Sequence, residues 1–273
     1  MMSQPAIQAA LVSAVFMLIG GFARAQSVEE FDVVSPEVEG EHPANRPTSQ
    51  ANVSKVADSI IEQTNTFRAE HGHRALRSDA KLQETAQYFA DFMARTRKYG
   101  HEADDQKPSE RADQHGYAYC IVLENIAYTY RSTGFGVEEL TRKFVTGWKN
   151  SEGHRENMLD PDTYETGVAV SRNEKGEYYA VQMFGRPQGK TIKFAISNMS
   201  GETLEYAIQR GNGQAKFKLP ARATRTHTQC RPSHLDLGWT TEKDELPTAD
   251  GRKFVIRESP SEGLQVSVAD SDE

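Results

Sequence analysis

The sequence is poor in cysteine, has no excess of basic residues and contains only one long apolar run. Its two cysteines in 273 residues are too few for a disulfide-dependent scaffold. Lys and Arg number 32 against 39 Asp and Glu, and the resulting net charge of -7 argues against nucleic acid as a partner. No internal repeat is visible. The sequence therefore predicts a chain that folds around ordinary hydrophobic cores.

The long apolar run, residues 6–22, lies at the start of the chain and precedes the small-x-small motif Ala23-Arg24-Ala25. This pattern predicts a signal peptide over residues 1–25, cleaved after Ala25, and hence a secreted or periplasmic protein. No Lys or Arg precedes the run, and its length approaches that of a short membrane anchor, which leaves an uncleaved anchor as the alternative. No later stretch could span a bilayer, so no transmembrane segment is expected in the mature chain.

Residues 26–52 contain three prolines among acidic and small residues and show no lasting period. This composition predicts a disordered linker. Export would permit a disulfide between Cys120 and Cys230, but the sequence leaves both the disulfide and two free thiols open.

Residues 53–187 carry helical patterns followed by two strand patterns. Apolar residues recur with helical spacing in three segments. Two strand patterns then flank a turn that runs from Asn173 to Gly176, which predicts an antiparallel hairpin. Helices followed by a hairpin predict an α+β domain. From about residue 190 to 269, short alternating segments separated by glycine-containing turns predict a small all-β sandwich or barrel.

The candidate site residues are polar side chains that follow a helical pattern or interrupt an apolar one, with one tryptophan anchor: His101, Glu124, Asn125, Trp148, His154 and Asn157. His154 directly follows a glycine at the end of the third helical segment. Glu124 lies in a mostly apolar stretch and needs partners there, because leaving a buried carboxylate unpaired costs several kcal/mol or neutralises it. We expect Trp148 to belong to the core and Asn157 to bond backbone groups.

With these residues, the segment 53–187 resembles the CAP superfamily of cysteine-rich secretory, antigen 5 and pathogenesis-related 1 proteins, especially its bacterial members. The resemblance rests on ordered landmarks: Asn65, Phe67 and Arg68, Lys81-Leu82, His101, Glu124-Asn125-Ile126-Ala127, Trp148 to Met158, Gly167 to Val170 and Gln182 to Gly185. It implies an α-β-α sandwich whose cleft holds two histidines, His101 and His154, and two acidic side chains, the first being Glu124.

The chain departs from the family pattern at two positions. Leu123 stands where the family usually has glycine before its Glu-Asn pair. The family's second carboxylate comes from just after the tryptophan, where this chain has Ser151 and then Glu152. We assign Glu152 to the cleft, with Glu102 or no second carboxylate as the alternatives.

Two neutral imidazoles and a carboxylate suffice to bind a divalent transition metal with one position open, and zinc or a similar cation suits them best. His101 and His154 are thus candidate metal ligands. The preferred hypothesis is a non-catalytic or weakly catalytic secreted CAP-domain protein. Its cleft binds a divalent cation or a small ligand, lipids included, and its β domain makes an envelope or partner contact. Without metal, the same groups could act as acid and base, or Glu124 could merely orient a structural histidine pair.

Two further functions stay open. One is a metal-dependent, peptidase-like hydrolase in which Glu152 is the base; the other is an adhesion or structural module. A serine hydrolase built on Ser151 is disfavoured because no strand-serine-helix turn surrounds it. A metal cluster of His227, Cys230 and His234 is disfavoured because it lacks a fourth ligand. The sequence does not decide whether the protein is an enzyme, or its oligomeric state.

Overall fold

The computed structural model describes residues 51–211, 213–240 and 246–270. The predicted signal peptide and residues 26–50 of the predicted linker lie outside the described residues. Within these three ranges, no helix combines the length and the apolar character that crossing a membrane requires.

The first part of the chain alternates helices and strands. Its elements are α1 (Val53–Glu70), β1 (Arg77–Ser78), α2 (Ala80–Thr96), α3 (Pro108–Gln114), β2 (Tyr119–Tyr130), α4 (Val137–Asn150), α5 (Glu152–Leu159), β3 (Glu165–Arg172) and β4 (Glu177–Pro187). Side chains cap the two long N-terminal helices: Asn52 accepts from the first turn of α1 and Asp79 from the first turn of α2. Each cap satisfies backbone N–H groups that have no partner within the helix.

The four strands form one sheet in the order β1-β3-β4-β2. Because strand side chains alternate between faces, the two faces of the sheet contribute to two separate hydrophobic cores. One core joins β3 and β4 to α1, α4 and α5, and the other joins the opposite faces of the strands to α2 and α3. This is the predicted α-β-α sandwich, so the predicted fold class is confirmed. Even-numbered β2 residues such as Ile126 face α2, while odd-numbered ones such as Ala127 face α1 and α4.

Gly167 shows how closely α2 packs on β3. A Cβ at this position would lie 2.2 Å from the backbone nitrogen of Gln83 and 2.2 Å from the carbonyl carbon of Leu82. The Gln83 carboxamide then bonds both backbone groups of Val168, donating to its carbonyl at 2.6 Å and accepting from its N–H at 3.0 Å. The absence of a side chain at Gly167 therefore allows α2 to dock closely on the sheet. The docking holds α2, which leads into the site, in place.

After a short 3₁₀ turn (Gln188–Lys190), the regular elements among the described residues of the second part of the chain are all strands. They are β5 (Ile192–Asn198), β6 (Leu204–Arg210), β7 (Gly213–Leu219), β8 (Thr224–Gln229), β9 (His234–Asp236), β10 (Lys253–Ser259) and β11 (Gly263–Ala269). A four-stranded sheet, β11-β10-β5-β8, and a three-stranded sheet, β7-β6-β9, share one apolar core. The arrangement is a sandwich, with a single parallel pair between β5 and β10.

Covalent and ionic contacts join the two parts of the chain. Cys120, in β2, and Cys230, just after β8, form a disulfide with Cα atoms 5.3 Å apart. The adjacent Arg231 pairs with Asp160 at 2.7 Å and Asp162 at 2.9 Å. Asp160 directly follows α5, so these contacts hold the C-terminal sandwich beside the helix that carries His154.

Candidate functional site

His101 lies in the turn between α2 and α3 and is oriented by Glu124 of β2. Its Nδ1 lies 2.8 Å from Glu124 Oε1. The carboxylate is almost wholly buried, with 1% of its side chain exposed, while 38% of the His101 side chain remains exposed. A carboxylate at Nδ1 favours the proton on that nitrogen, so the Nε2 lone pair is available on the open side.

Arg111 of α3 holds the other oxygen of Glu124. Its Nη2 donates to Glu124 Oε2 at 2.8 Å and to the backbone carbonyl of His101 at 2.9 Å. Its Nη1 donates to Asp104 Oδ1 at 2.7 Å, and its guanidinium carbon lies 3.6 Å from the centre of the Phe89 ring. Asp104, Arg111 and Glu124 form what we call the buried ion network.

The buried ion network is not optimised for stability. Its three side chains are at most 2% exposed. Yet within the described part of the chain, Asp104 Oδ2 and Arg111 Nε have no hydrogen-bonding partner. Burying charges with unsatisfied atoms often costs more than it returns. We interpret the network as one that positions His101 rather than one that stabilises the fold.

His154 lies in the first turn of α5 and is held by neutral groups. Its Nδ1 lies 2.9 Å from Ser151 Oγ. Burial, and to a lesser degree the proximity of His101, lowers the pKa of His154 to about 4. The imidazole is therefore neutral at physiological pH and its Nε2 does not contact the serine.

Two asparagines connect α5 to the edge of β2. Asn125 donates to the carbonyl of His154 at 3.1 Å. Asn157 donates to Asn125 Oδ1 at 2.9 Å and to the carbonyl of Glu124 at 3.2 Å. Trp148 is buried and donates from Nε1 to the carbonyl of Ile126 at 3.1 Å. These bonds fix the position of His154 relative to Glu124 across the edge of the strand.

The two acidic residues considered as the second carboxylate are both exposed to solvent. Glu152 is exposed at the first position of α5, and Glu102 is exposed in the turn after His101. The second carboxylate beside the site is Asp104, which the sequence did not single out, and it reaches the site through Arg111. The only signal that the sequence offers is the spacing of the two residues: Asp104 precedes the proline-initiated helix α3, and Arg111 lies within that helix.

His101 lies near enough to His154 to contribute to the lowering of its pKa. In the described ranges, no three His, Cys, Asp or Glu side chains are grouped so as to hold a metal ion. Glu124 has both oxygens engaged by His101 and Arg111, which makes it an orienting group. In the C-terminal sandwich, Cys230 is in the disulfide and His227 bonds Tyr206 Oη at 2.6 Å, so neither belongs to a metal cluster.

Residues 61–184 match the sequence model of the family described as CAP, the cysteine-rich secretory protein family. This part of the chain is therefore a CAP domain.

Curated relatives come from Bacillus subtilis. The uncharacterized protein YkwD is 28% identical over 140 residues, which are 51% of this chain and 51% of YkwD. The uncharacterized membrane protein YlbC is 30% identical over 128 residues, 46% of this chain and 34% of YlbC. The chain thus spans about half of one relative and a third of the other. Among solved structures, an outer surface protein of Borrelia burgdorferi shares 18% identity and a TM-score of 0.44, covering 49% of this chain and 94% of that one.

Proposed function

We propose that the CAP domain of this protein is a binding domain whose cleft takes a divalent transition cation through Nε2 of His101 and Nε2 of His154. One observation carries the proposal: each imidazole has its Nδ1 engaged by a neighbouring side chain, Glu124 for His101 and Ser151 for His154. Metal-binding histidines characteristically bond through their second nitrogen in this way, which fixes the ring and its tautomer.

The electrostatics of the pair support cation binding. The lowered pKa of His154 keeps a lone pair available without competition from a proton near neutral pH. Glu124, 2.8 Å from Nδ1 of His101, fixes the orientation of that ring. Two protein ligands leave the remaining coordination positions to water or to donor atoms of a small ligand. A bound cation would act there as a Lewis acid toward that ligand.

The hydrolase alternative has less support than binding. A catalytic zinc usually has three protein ligands, and the described part of the chain groups no three. Glu152, the expected base, is exposed at the start of α5. We therefore favour binding over turnover.

We also propose that the protein acts outside the cytoplasm, at the cell envelope or beyond it. The Cys120–Cys230 disulfide supports an oxidising compartment, because such bonds rarely persist in the cytosol. The apolar run and small-x-small motif before Gln26 agree with export.

The test is a calorimetric zinc titration of the full chain purified without chelator. We expect one zinc per chain and a loss of affinity of at least about tenfold, roughly 1.4 kcal/mol, in both His101→Ala and His154→Ala. The control is His234→Ala, an exposed histidine of β9, which should bind zinc as the wild type does. Equal affinities in all four proteins would contradict the proposal. Peptide hydrolysis that requires zinc and disappears in His154→Ala would instead establish the hydrolase.

A further inference from the structure

Helix α5, which carries His154, is held in place chiefly by polar contacts. The helix is only eight residues long, and Met158 is its one fully buried residue, with Leu159 partly buried. Helices shorter than about 12–15 residues are marginal on their own in water, and burial of one or two side chains gives α5 little further support. The position of His154 therefore depends on the groups that bond to α5 along its side and at its end.

The side of α5 that faces β2 is bonded to that strand by two asparagines. Asn125 donates to the carbonyl of His154 at 3.1 Å, and Asn157 donates to the carbonyl of Glu124 at 3.2 Å. Neutral hydrogen bonds of this kind contribute about 1 kcal/mol each. They join α5 to the strand but do not fix the C-terminal end of the helix.

Two arginines fix that end, at the residue that directly follows the helix, Asp160. Arg68 of α1 donates from Nη1 to the carbonyl of Met158 at 2.7 Å and to the carbonyl of Asp160 at 3.0 Å. Arg231, between β8 and β9, bonds the Asp160 carboxylate twice, with Nη1 3.0 Å from Oδ1 and Nη2 2.7 Å from Oδ2. A guanidinium that forms two parallel bonds with a carboxylate fixes its direction as well as its distance.

The Arg231 contacts are shielded from solvent more than an ordinary surface ion pair is. Nη1 of Arg231 also lies 2.9 Å from Asp162 Oδ2. The side chains of Arg231, Asp160 and Asp162 are 25%, 13% and 16% exposed, and such pairs are screened less by water and salt. Within the described ranges, Arg231 is the only side chain that forms an ion pair with the Asp160 carboxylate. Loss of Arg231 would leave that carboxylate largely buried without a counter-charge.

Arg231 is also adjacent to the covalent link between the two parts of the chain. Its neighbour Cys230 forms the disulfide with Cys120, near the start of β2. Two consecutive residues of the C-terminal sandwich are therefore bonded to β2 and to the end of α5. We call the Cys120–Cys230 disulfide and the Arg231–Asp160 ion pair together the brace. Because the brace ties both elements to one short segment, it restricts movement of α5 relative to β2.

We propose that Arg231 is a positioning residue for the cation site of His101 and His154, and that the C-terminal sandwich acts on this site through it. The proposal rests on the proposed function of the two histidines. A zinc ion bound by both imidazoles needs each Nε2 at about 2.0–2.1 Å, and a site loosened by about 1 Å loses affinity. By holding the end of α5, Arg231 limits the positions that the His154 ring can take, without touching the cation.

The test combines calorimetric zinc titration of the full chain with hydrogen exchange of the α5 amides. Arg231→Met removes the ion pair and keeps an unbranched side chain. Because Arg231 acts through α5 rather than on a ligand directly, we expect a weakening of zinc binding by about three- to tenfold, below or at the lower limit for a direct orienting partner, and faster exchange in α5. Arg231→Lys keeps the charge and should recover part of the affinity.

The partner substitution Asp160→Asn identifies the contact. The asparagine keeps the Oδ1 that accepts from the Asp162 N–H at 2.8 Å but loses the charge. We expect it to weaken zinc binding as Arg231→Met does. Since the two residues act through one contact, the double variant should lose little more than either single variant.

Arg252→Met is the matched control. Arg252 also forms two bonds with one carboxylate, at 2.6 Å and 3.0 Å from Asp270, but this pair lies wholly within the sandwich. A purely structural role for Arg231 would lower the melting temperature in both variants without separating their zinc affinities. We expect Arg252→Met to keep the zinc affinity and the α5 exchange of the wild type, with folding of each variant checked by circular dichroism.

The proposal is overturned if Arg231→Met leaves either the zinc affinity or the α5 exchange unchanged, or if Arg252→Met weakens zinc binding as much. Absence of zinc binding in the wild type would instead contradict the proposed function of the histidines. Hydrogen exchange needs no cation and still reports whether Arg231 holds α5, so the two failures are distinguishable.

Discussion

His101 and His154 are held in place by different chemistry. His101 depends on buried charges: Glu124 bonds its ring, and Arg111 bonds both that carboxylate and the His101 backbone. His154 depends on neutral groups, namely the Ser151 hydroxyl at its ring and the Asn125 amide at its carbonyl. A charged support orients a side chain strongly, but the loss of one partner leaves a buried charge unpaired. The loss of one partner from a neutral support removes a single hydrogen bond.

The largest difference should appear when each support loses one member. In Arg111→Met, the methionine can still pack on Phe89, but Asp104 and Glu124 stay buried without their counter-charge. We expect a loss of about 3–5 kcal/mol in the free energy of unfolding, measured by urea denaturation. Asn157→Ala on the neutral side should lose only about 1–2 kcal/mol.

The double variant Arg111→Met with Asp104→Asn identifies the cause. If the unpaired carboxylates are responsible, removing one of them should restore part of the stability that Arg111→Met lost. Equal losses in Arg111→Met and Asn157→Ala would remove the distinction between the two supports.

A second difference concerns zinc affinity. Glu124→Gln removes the charge behind His101 while keeping its shape, and loss of such an orienting carboxylate typically weakens metal binding by about 10–100-fold. Ser151→Ala removes a neutral partner of His154, and we expect a weakening of less than about tenfold. Calorimetric zinc titration of both folded variants checks the order of the two effects. A greater loss in Ser151→Ala would reverse our assignment of the dominant orienting group.

The sequence predicted the helices, the hairpin and the alternating C-terminal strands because each depends on local periodicity. It also selected Glu124 correctly as a buried carboxylate in need of partners, since an apolar stretch around a charge is visible in one segment. It could not identify those partners. Arg111 reaches Glu124 only because α3 folds back over β2, and nothing in its own segment distinguishes it from an exposed arginine.

The second acidic residue shows the same limit. Glu152 was chosen from its position after Trp148, yet α5 begins at that residue and leaves its side chain exposed. Asp104 lies in a turn whose course depends on Arg111 bonding three separate groups. The contact between the rings of Tyr99 and Tyr128 was equally hidden, because they meet only after α2 packs against the sheet.

The smallest expected effect is the dependence of stability on pH. The pKa of His154 is lowered to about 4 in the folded protein, against about 6.5 in the unfolded chain. Between these values the unfolded state binds the proton and the folded state does not, so stability is fully present above pH 6.5 and falls as the pH drops toward 4.

Glu177, whose pKa Arg97 lowers to about 2, does not interfere, because its contribution is lost only below about pH 4.5. His227, with its pKa lowered to about 4 by burial, adds to the same slope from the C-terminal sandwich.

We therefore expect His154→Ala to reduce the loss of stability between pH 6.5 and 4.5 by on the order of 1 kcal/mol, discounted for partial solvent exposure. Urea denaturation at several pH values measures this loss, with His234→Ala keeping the wild-type slope. If the free energy of unfolding of His154→Ala kept the wild-type dependence on pH, His154 would be as well solvated in the folded protein as in the unfolded chain. The contrast between a charged and a neutral support would then lose its electrostatic basis.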